Sequence, residues 1–108
     1  MSRNPLILMV SALVTLIGSQ ALAEIPAQRQ AELIYLLRHD CGSCHGMRLE
    51  GGLGPALSPA HFANWSTEQL ATTILHGRPG TPMPPWRPFF TDGEAHWLAA
   101  QLKRGIRP

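Results

Sequence analysis

Two cysteines three positions apart, followed at once by a histidine, stand at Cys41-Gly42-Ser43-Cys44-His45. That spacing is the pattern of covalent c-type haem attachment. Each thiol can close a thioether bond to one of the two vinyl groups on neighbouring pyrroles. A two-residue spacer lets both sulfurs reach while the chain crosses the porphyrin edge. The next residue is then carried under the iron, where imidazole is a ligand that haem proteins use. Two other readings share the cysteine pair. A redox dithiol expects a βαβ context, and no alternating strand pattern precedes Cys41. A structural zinc site needs a second Cys or His pair at matching spacing, but the chain has 2 cysteines, and His61, His76 and His96 lie far apart in sequence. The residues point to one covalently held haem.

A second stretch carries a complementary chemistry. Gly77-Arg78-Pro79-Gly80-Thr81-Pro82-Met83-Pro84-Pro85-Trp86 places a thioether among prolines. Proline fixes φ and has no N–H, so Pro82, Pro84 and Pro85 hold the chain extended and out of helix around Met83. A stiff loop of this kind can aim a sulfur at iron, which makes Met83 the candidate sixth ligand. The competing reading is a proline-rich surface linker. Met47 stands two residues after His45, a reach of at most ~7 Å, and is confined to the proximal side. His39 adjoins the attachment site, and His96 belongs to a helix expected to pack away from iron. His61 and His76 stay open as alternatives; bis-histidine ligation would lower the potential that Met with His raises. Arg78, Arg87 or Trp86 could bond a haem propionate, because a buried charge must be paired. Solvated arginines and a packing tryptophan are the plainer reading.

Three helical patterns must position these groups. Residues 27 to 38 read as a first helix behind Pro26, whose missing N–H suits a first turn. Ala27, Ala31, Leu33, Ile34, Leu36 and Leu37 make its broad apolar face. A second helix is signalled at 66 to 76. Ser66 and Gln69 fit a capping box there, and Leu70, Ala71, Ile74 and Leu75 form a stripe before Gly77. The third covers 92 to 104, with a Thr91/Glu94 box, then Ala95, Leu98, Ala99 and Leu102 at helical spacing. Lys103 and Arg104 meet the negative end of its dipole, and Gly105 closes it. Between the first two helices the glycines at 46, 51, 52 and 54 with Pro55 make a loop whose backbone can lie close to a flat ligand.

Composition narrows the class. Arg3, the apolar run Leu6 to Ile17 and the small residues of Ala21-Leu22-Ala23 predict an export signal cleaved after Ala23. Twelve residues are short for a membrane span, which needs ~20. The remaining 85 residues, 24–108, read as one small all-α domain. Such a domain buries only ~60% of its unfolded surface and usually needs a staple. A haem held by two bonds and an iron ligand would be one, so the apo chain is expected to fold poorly. After residue 23 there are eight Lys and Arg against seven Asp and Glu. No basic stripe suggests nucleic acid, and nothing beyond the signal suggests a membrane.

With these residues placed, the chain resembles a class I c-type cytochrome over its whole mature length. Gly54-Pro55-Ala56-Leu57 matches that family's Gly-Pro-x-Leu segment. The resemblance implies a fold of three to four helices wrapped around one haem c. It gives the Pro55 carbonyl the proximal imidazole N–H to accept, packs Leu57 on the haem, and supports Met83 as the axial sulfur. It also matches Trp97 to the aromatic that interlocks with the N-terminal helix, here against Leu33 and Leu37. Asp40-to-Gly46 and the Arg78-to-Trp86 loop are similar to the cytochrome c-55X type, which accompanies the haem-d1 nitrite reductase of denitrifying bacteria. That implies a periplasmic electron carrier, not an enzyme, passing single electrons to such a reductase. With Lys103 the one lysine, docking through an apolar patch at the haem edge is expected. A haem-based sensor in which a diatomic displaces Met83 is the alternative. A small peroxidase would need a second haem or a distal acid–base pair, and neither is evident.

Overall fold

Pro26, with φ −55° and ψ 146°, sits outside the first helix as its N-terminal flank, and its carbonyl accepts the Gln30 N–H at 2.9 Å. In the computed structural model, which describes residues 24–106, helix α1 spans Ala27–Leu36. The expected export signal, 1–23, lies outside the described residues. The helical path does not end at residue 38. A π-helical turn, Leu37–Cys41, leads into α2, Gly42–His45, and only Gly46 at φ 91° breaks the run. No proline separates Leu36 from His45, and Gly42 keeps helical angles at φ −60°, so nothing local stops the helix. In the π turn the Gly42 N–H reaches back five residues to the Leu37 carbonyl, widening the coil by one residue. Such turns gather at functional positions. Here the turn keeps Leu37 buried while delivering Cys41 and Cys44 to the interior. Of the expected apolar face, Leu33 and Leu37 are buried and Ile34 and Leu36 half-buried, whereas Ala27 and Ala31 are exposed.

Helix α3 spans Thr67–His76 and α4 spans Asp92–Arg104. Both capping boxes form. Ser66 Oγ accepts the Gln69 N–H at 3.0 Å while Gln69 Oε1 accepts the Ser66 N–H at 2.9 Å. Thr91 and Glu94 exchange the same bonds at 3.1 Å each. Each box satisfies two N–H groups that the first turn leaves without helical partners.

The apolar stripes of α1, α3 and α4 meet in one core, with Leu33, Leu37, Leu70, Leu75, Leu98 and Leu102 all at 4% exposure or less. Trp97 is half-buried and packs against that core. Burying a leucine contributes about 2 kcal/mol, so six give a sizeable share of the stability of so small a domain. Three core residues, Leu49, Phe62 and Phe90, come from connections instead of helices. Leu49 is 3% exposed in the left-handed region at φ 58°. It is held there by its N–H to the Gly46 carbonyl at 2.8 Å and by its carbonyl accepting the Leu57 N–H at 2.9 Å. Phe62, also 3% exposed, packs edge-on against Trp65 with ring centres 5.9 Å apart.

The helices are tied across the surface by charge. Arg29 of α1 reaches Glu94 of α4 through two N–H···O bonds of 2.7 and 3.1 Å, and donates to the Phe89 carbonyl at 3.1 Å. Glu94 thus serves the α4 cap and the α1–α4 contact together. Among the described residues there is no strand, and no helix is long and apolar enough to cross a membrane.

Candidate functional site

The core is hollow on one side. A cavity of about 310 Å³ opens between the end of the α1–α2 helix, the 53–65 connection, α3 and the proline loop before α4. Cys41, Cys44, His45, Pro55, Leu57 and Met83 all lie on its walls. These six come from three separate stretches of chain, and the fold brings every one of them to the same space.

His45 ends α2, and its ring is oriented by one bond. Nδ1 lies 2.7 Å from the Pro55 carbonyl oxygen. A carbonyl only accepts, so Nδ1 carries a proton, which leaves Nε2 as the nitrogen available to a metal. A fixed tautomer with a bonded outer nitrogen is what a metal-ligating histidine requires. The loop supplying that carbonyl is sewn to the helix end. The Gly51 N–H donates to the His45 carbonyl and the Gly54 N–H to the Cys44 carbonyl, both at 2.8 Å. The helix-end carbonyls are thereby satisfied and Pro55 is set in place.

Cys41 and Cys44 are half-buried and unbridged. Burial, aided by the nearby negative charge of Asp40, pushes the Cys41 thiol up to about 11. It is a protonated, apolar-facing sulfur at neutral pH. Among the described residues no group of three or more His, Cys, Asp or Glu gathers that could hold a bare metal ion.

Met83 is held by backbone as well as by proline stiffness. Its carbonyl accepts the Arg78 N–H at 3.1 Å, its N–H donates to Thr81 Oγ1 at 3.3 Å, and Thr81 Oγ1 in turn donates to the Arg78 carbonyl at 2.6 Å. Past the methionine, the Trp86 and Arg87 N–H groups donate to the Ile74 and Leu75 carbonyls of α3 at 3.1 and 3.2 Å. The loop is pinned at both ends.

The other candidates sort by position. His61 also borders the cavity, packed edge-on against Phe62, while His76 does not reach it. Arg78 and Trp86 line the cavity; Arg87 does not, and pairs instead with Asp92 at 2.8 Å. Sequence reasoning missed Phe62, Trp65 and Phe90 as wall residues. Their aromatic character was the available signal, but they lie in segments without periodicity. It placed Lys103 in the last turn of α4 but not its bond to the Trp65 carbonyl, which fastens that wall to α4.

The apolar walls, the two unbridged thiols and the tautomer-fixed imidazole fit a covalently held haem, and an all-α domain built around them has the cytochrome c fold. A family model described as cytochrome c oxidase, cbb3-type, subunit III matches residues 27–102, and the chain belongs to that family of class I c-type cytochromes. It is 53% identical to cytochrome c55X of Pseudomonas aeruginosa over 73% of this chain and 66% of that one. It is 47% identical to cytochrome c55X of Paracoccus denitrificans over 86% and 91%. Among solved structures it is similar to the c-type cytochrome NirC, at 52% identity and TM-score 0.76, covering 78% of this chain and all of that one. It is also similar to part of dihydro-heme d1 dehydrogenase NirN in complex with DHE. There the identity is 36% and the TM-score 0.62, over 68% of this chain and 16% of that one. As a c-type cytochrome the chain carries one covalent haem c and is an electron carrier, not an enzyme.

Proposed function

We propose that the chain is an exported carrier that passes single electrons to a haem-d1 protein of the nitrite-reducing system. The observation that carries the ligand assignment is the shared cavity. His45, its Nδ1 proton held by Pro55 at 2.7 Å, and Met83, in its pinned loop, lie on the same apolar walls as both cysteines. Cys41 and Cys44 would hold the haem through thioethers, and His45 and Met83 would ligate its iron. Bound there, the haem supplies a reversible one-electron iron couple.

The rest is done by the chain. Pro55 keeps His45 in one tautomer and orientation. Leu57 and the aromatic walls exclude water, which keeps the surroundings apolar. The bonds around Thr81 fix the Met83 backbone, which would limit how far its sulfur moves. Displacement of Met83 by a diatomic is disfavoured to the extent that this pinned backbone keeps the side chain on the cavity wall. Arg78 and Trp86, on the cavity wall, are placed to pair the haem carboxylates, whereas Arg87 is committed to Asp92.

The relatives support this choice of partner. Those at about half identity are cytochromes c55X, and a dihydro-heme d1 dehydrogenase carries a domain like this one within its own chain. Residues 1–23, read as an export signal, would deliver the chain to the periplasm. Docking uses the apolar surface beside the cavity, where Leu53 is 77% exposed, since Lys103 is turned to the Trp65 carbonyl. Stopped-flow mixing of the reduced haem protein with a haem-d1 nitrite reductase tests this. Rapid oxidation that changes little from low to high salt is expected. No transfer would refute the partner, and a steep loss with salt would refute the apolar docking mode.

A further inference from the structure

Gly54 has no unusual backbone: its φ lies outside the left-handed region. It also precedes proline, which biases it to extended conformations open to any residue. Conformational freedom therefore does not account for a glycine here. Space does. A Cβ built on Gly54 would stand 2.6 Å from Cε1, 2.7 Å from Nδ1 and 3.2 Å from Nε2 of His45. Real Cβ contacts essentially never fall below 3.0 Å, and these three atoms are the working edge of the imidazole. We infer that Gly54 is the positioning residue for His45, its missing side chain being the space in which the ring lies.

Neither partner can retreat cheaply. Gly54 is fixed by its N–H to the Cys44 carbonyl at 2.8 Å and by its carbonyl to the Gly52 N–H at 2.9 Å. The ring is fixed by the 2.7 Å bond to the very next residue, Pro55. The close Gly54 backbone beside Cε1 and Nδ1 and the Pro55 bond to Nδ1 together restrict the ring's orientation. A methyl at position 54 must turn the ring, break the Pro55 bond, or lift the loop off the helix end. Each changes how Nε2 is presented and how basic it is. The close backbone approach expected of this glycine loop is thus toward the imidazole.

The inference rests on the haem reading above, and its test separates the two. Gly54→Ala and Gly93→Ala are prepared as full-length, exported haem proteins. Gly93 is the control, because a Cβ there meets nothing nearer than 4.0 Å. Three quantities are measured against wild type: yield of covalent haem protein, the hyperfine-shifted NMR resonances of the axial imidazole, and the midpoint potential. Gly54→Ala is expected to lower the yield several-fold, move the imidazole resonances and shift the potential, while Gly93→Ala leaves all three unchanged. Unmoved resonances and potential in Gly54→Ala would overturn the inference. Should Gly54→Ala give no folded haem protein, the double variant with His45→Gly is compared with His45→Gly alone. Equal, non-zero haem-bound yields support a clash with the ring, and a poorer double variant overturns it by placing the clash elsewhere. A wild type without covalent haem would sink the haem reading instead.

Discussion

Glu94 shows how one side chain can join two structural tasks. Its Oε2 accepts the Thr91 N–H, and both of its oxygens accept from Arg29. The Arg29 bond holds its carboxyl below the usual range, and Arg29 is raised in turn. Glu94→Gln keeps an acceptor for the cap but removes the charge, and should lower stability by about 1–2 kcal/mol, read from urea unfolding of the haem protein. The pH sign follows from the depressed folded value. The stabilisation is present above the unfolded carboxylate value of about 4.3 and is lost as pH falls through the lower folded one, so wild type and variant should converge in acid. His96 works the other way. Its ring nitrogens face the Glu68 carboxylate at 2.5 Å and the Asp92 carbonyl at 2.7 Å, both acceptors, so the doubly protonated ring satisfies both. The Glu68 bond, then the Asp92 carbonyl, raises its pKa. That contribution is full below about 6.5 and lost as pH rises through the folded value. The pair is 40% and 74% exposed, so His96→Gln should cost no more than about 0.5 kcal/mol, and only on the acid side of neutrality.

At the scale of elements, the proline loop depends on the turn before it. Gly77 has φ 67°, and a Cβ there would lie 2.6 Å from the Pro84 carbonyl carbon and 2.7 Å from the Met83 oxygen. Gly77→Ala should therefore loosen the Met83 loop. Faster carbon monoxide binding by the reduced haem protein is the expected readout, and a rate equal to wild type would show that the loop holds without that glycine. Legibility divides along the same lines. Helix α4 could be read to the residue and α3 to within one because their caps are local: Ser66 with Gln69 and Thr91 with Glu94 each lie three residues apart. The Cys-x-x-Cys-His stretch and Gly-Pro-x-Leu were legible for the same reason, as short strings. The π turn was not, because no residue in Leu37–Cys41 signals a wider coil. Leu49 was hidden in a glycine-rich loop, where a lone apolar residue has no periodicity to mark it as core. The Arg29–Glu94 bond spans 65 residues and follows only from how α1 crosses α4.

Across the described residues, 24–106, helices and loops wall in a cofactor-sized space. A cavity of about 310 Å³ in a domain of this size leaves α3, α4 and the 53–65 connection lining a void unless it is filled. Chain ordering costs ~1–2 kcal/mol per residue, and the remaining core is one layer of leucines and aromatics. Cys41→Ser/Cys44→Ser, unable to hold haem covalently, should lose most of its helical circular dichroism at room temperature; retention of native helicity would show that the shell stands alone. The central claim is that one covalent haem is gripped by His45 and Met83 in that cavity, and the oxidised absorption spectrum of the purified, exported protein tests it most directly. A thioether-to-iron charge-transfer band toward the red, surviving with a porphyrin that acid–acetone cannot extract, is the predicted result. A high-spin or bis-histidine spectrum lacking that band, or a porphyrin that extracts freely, would contradict it.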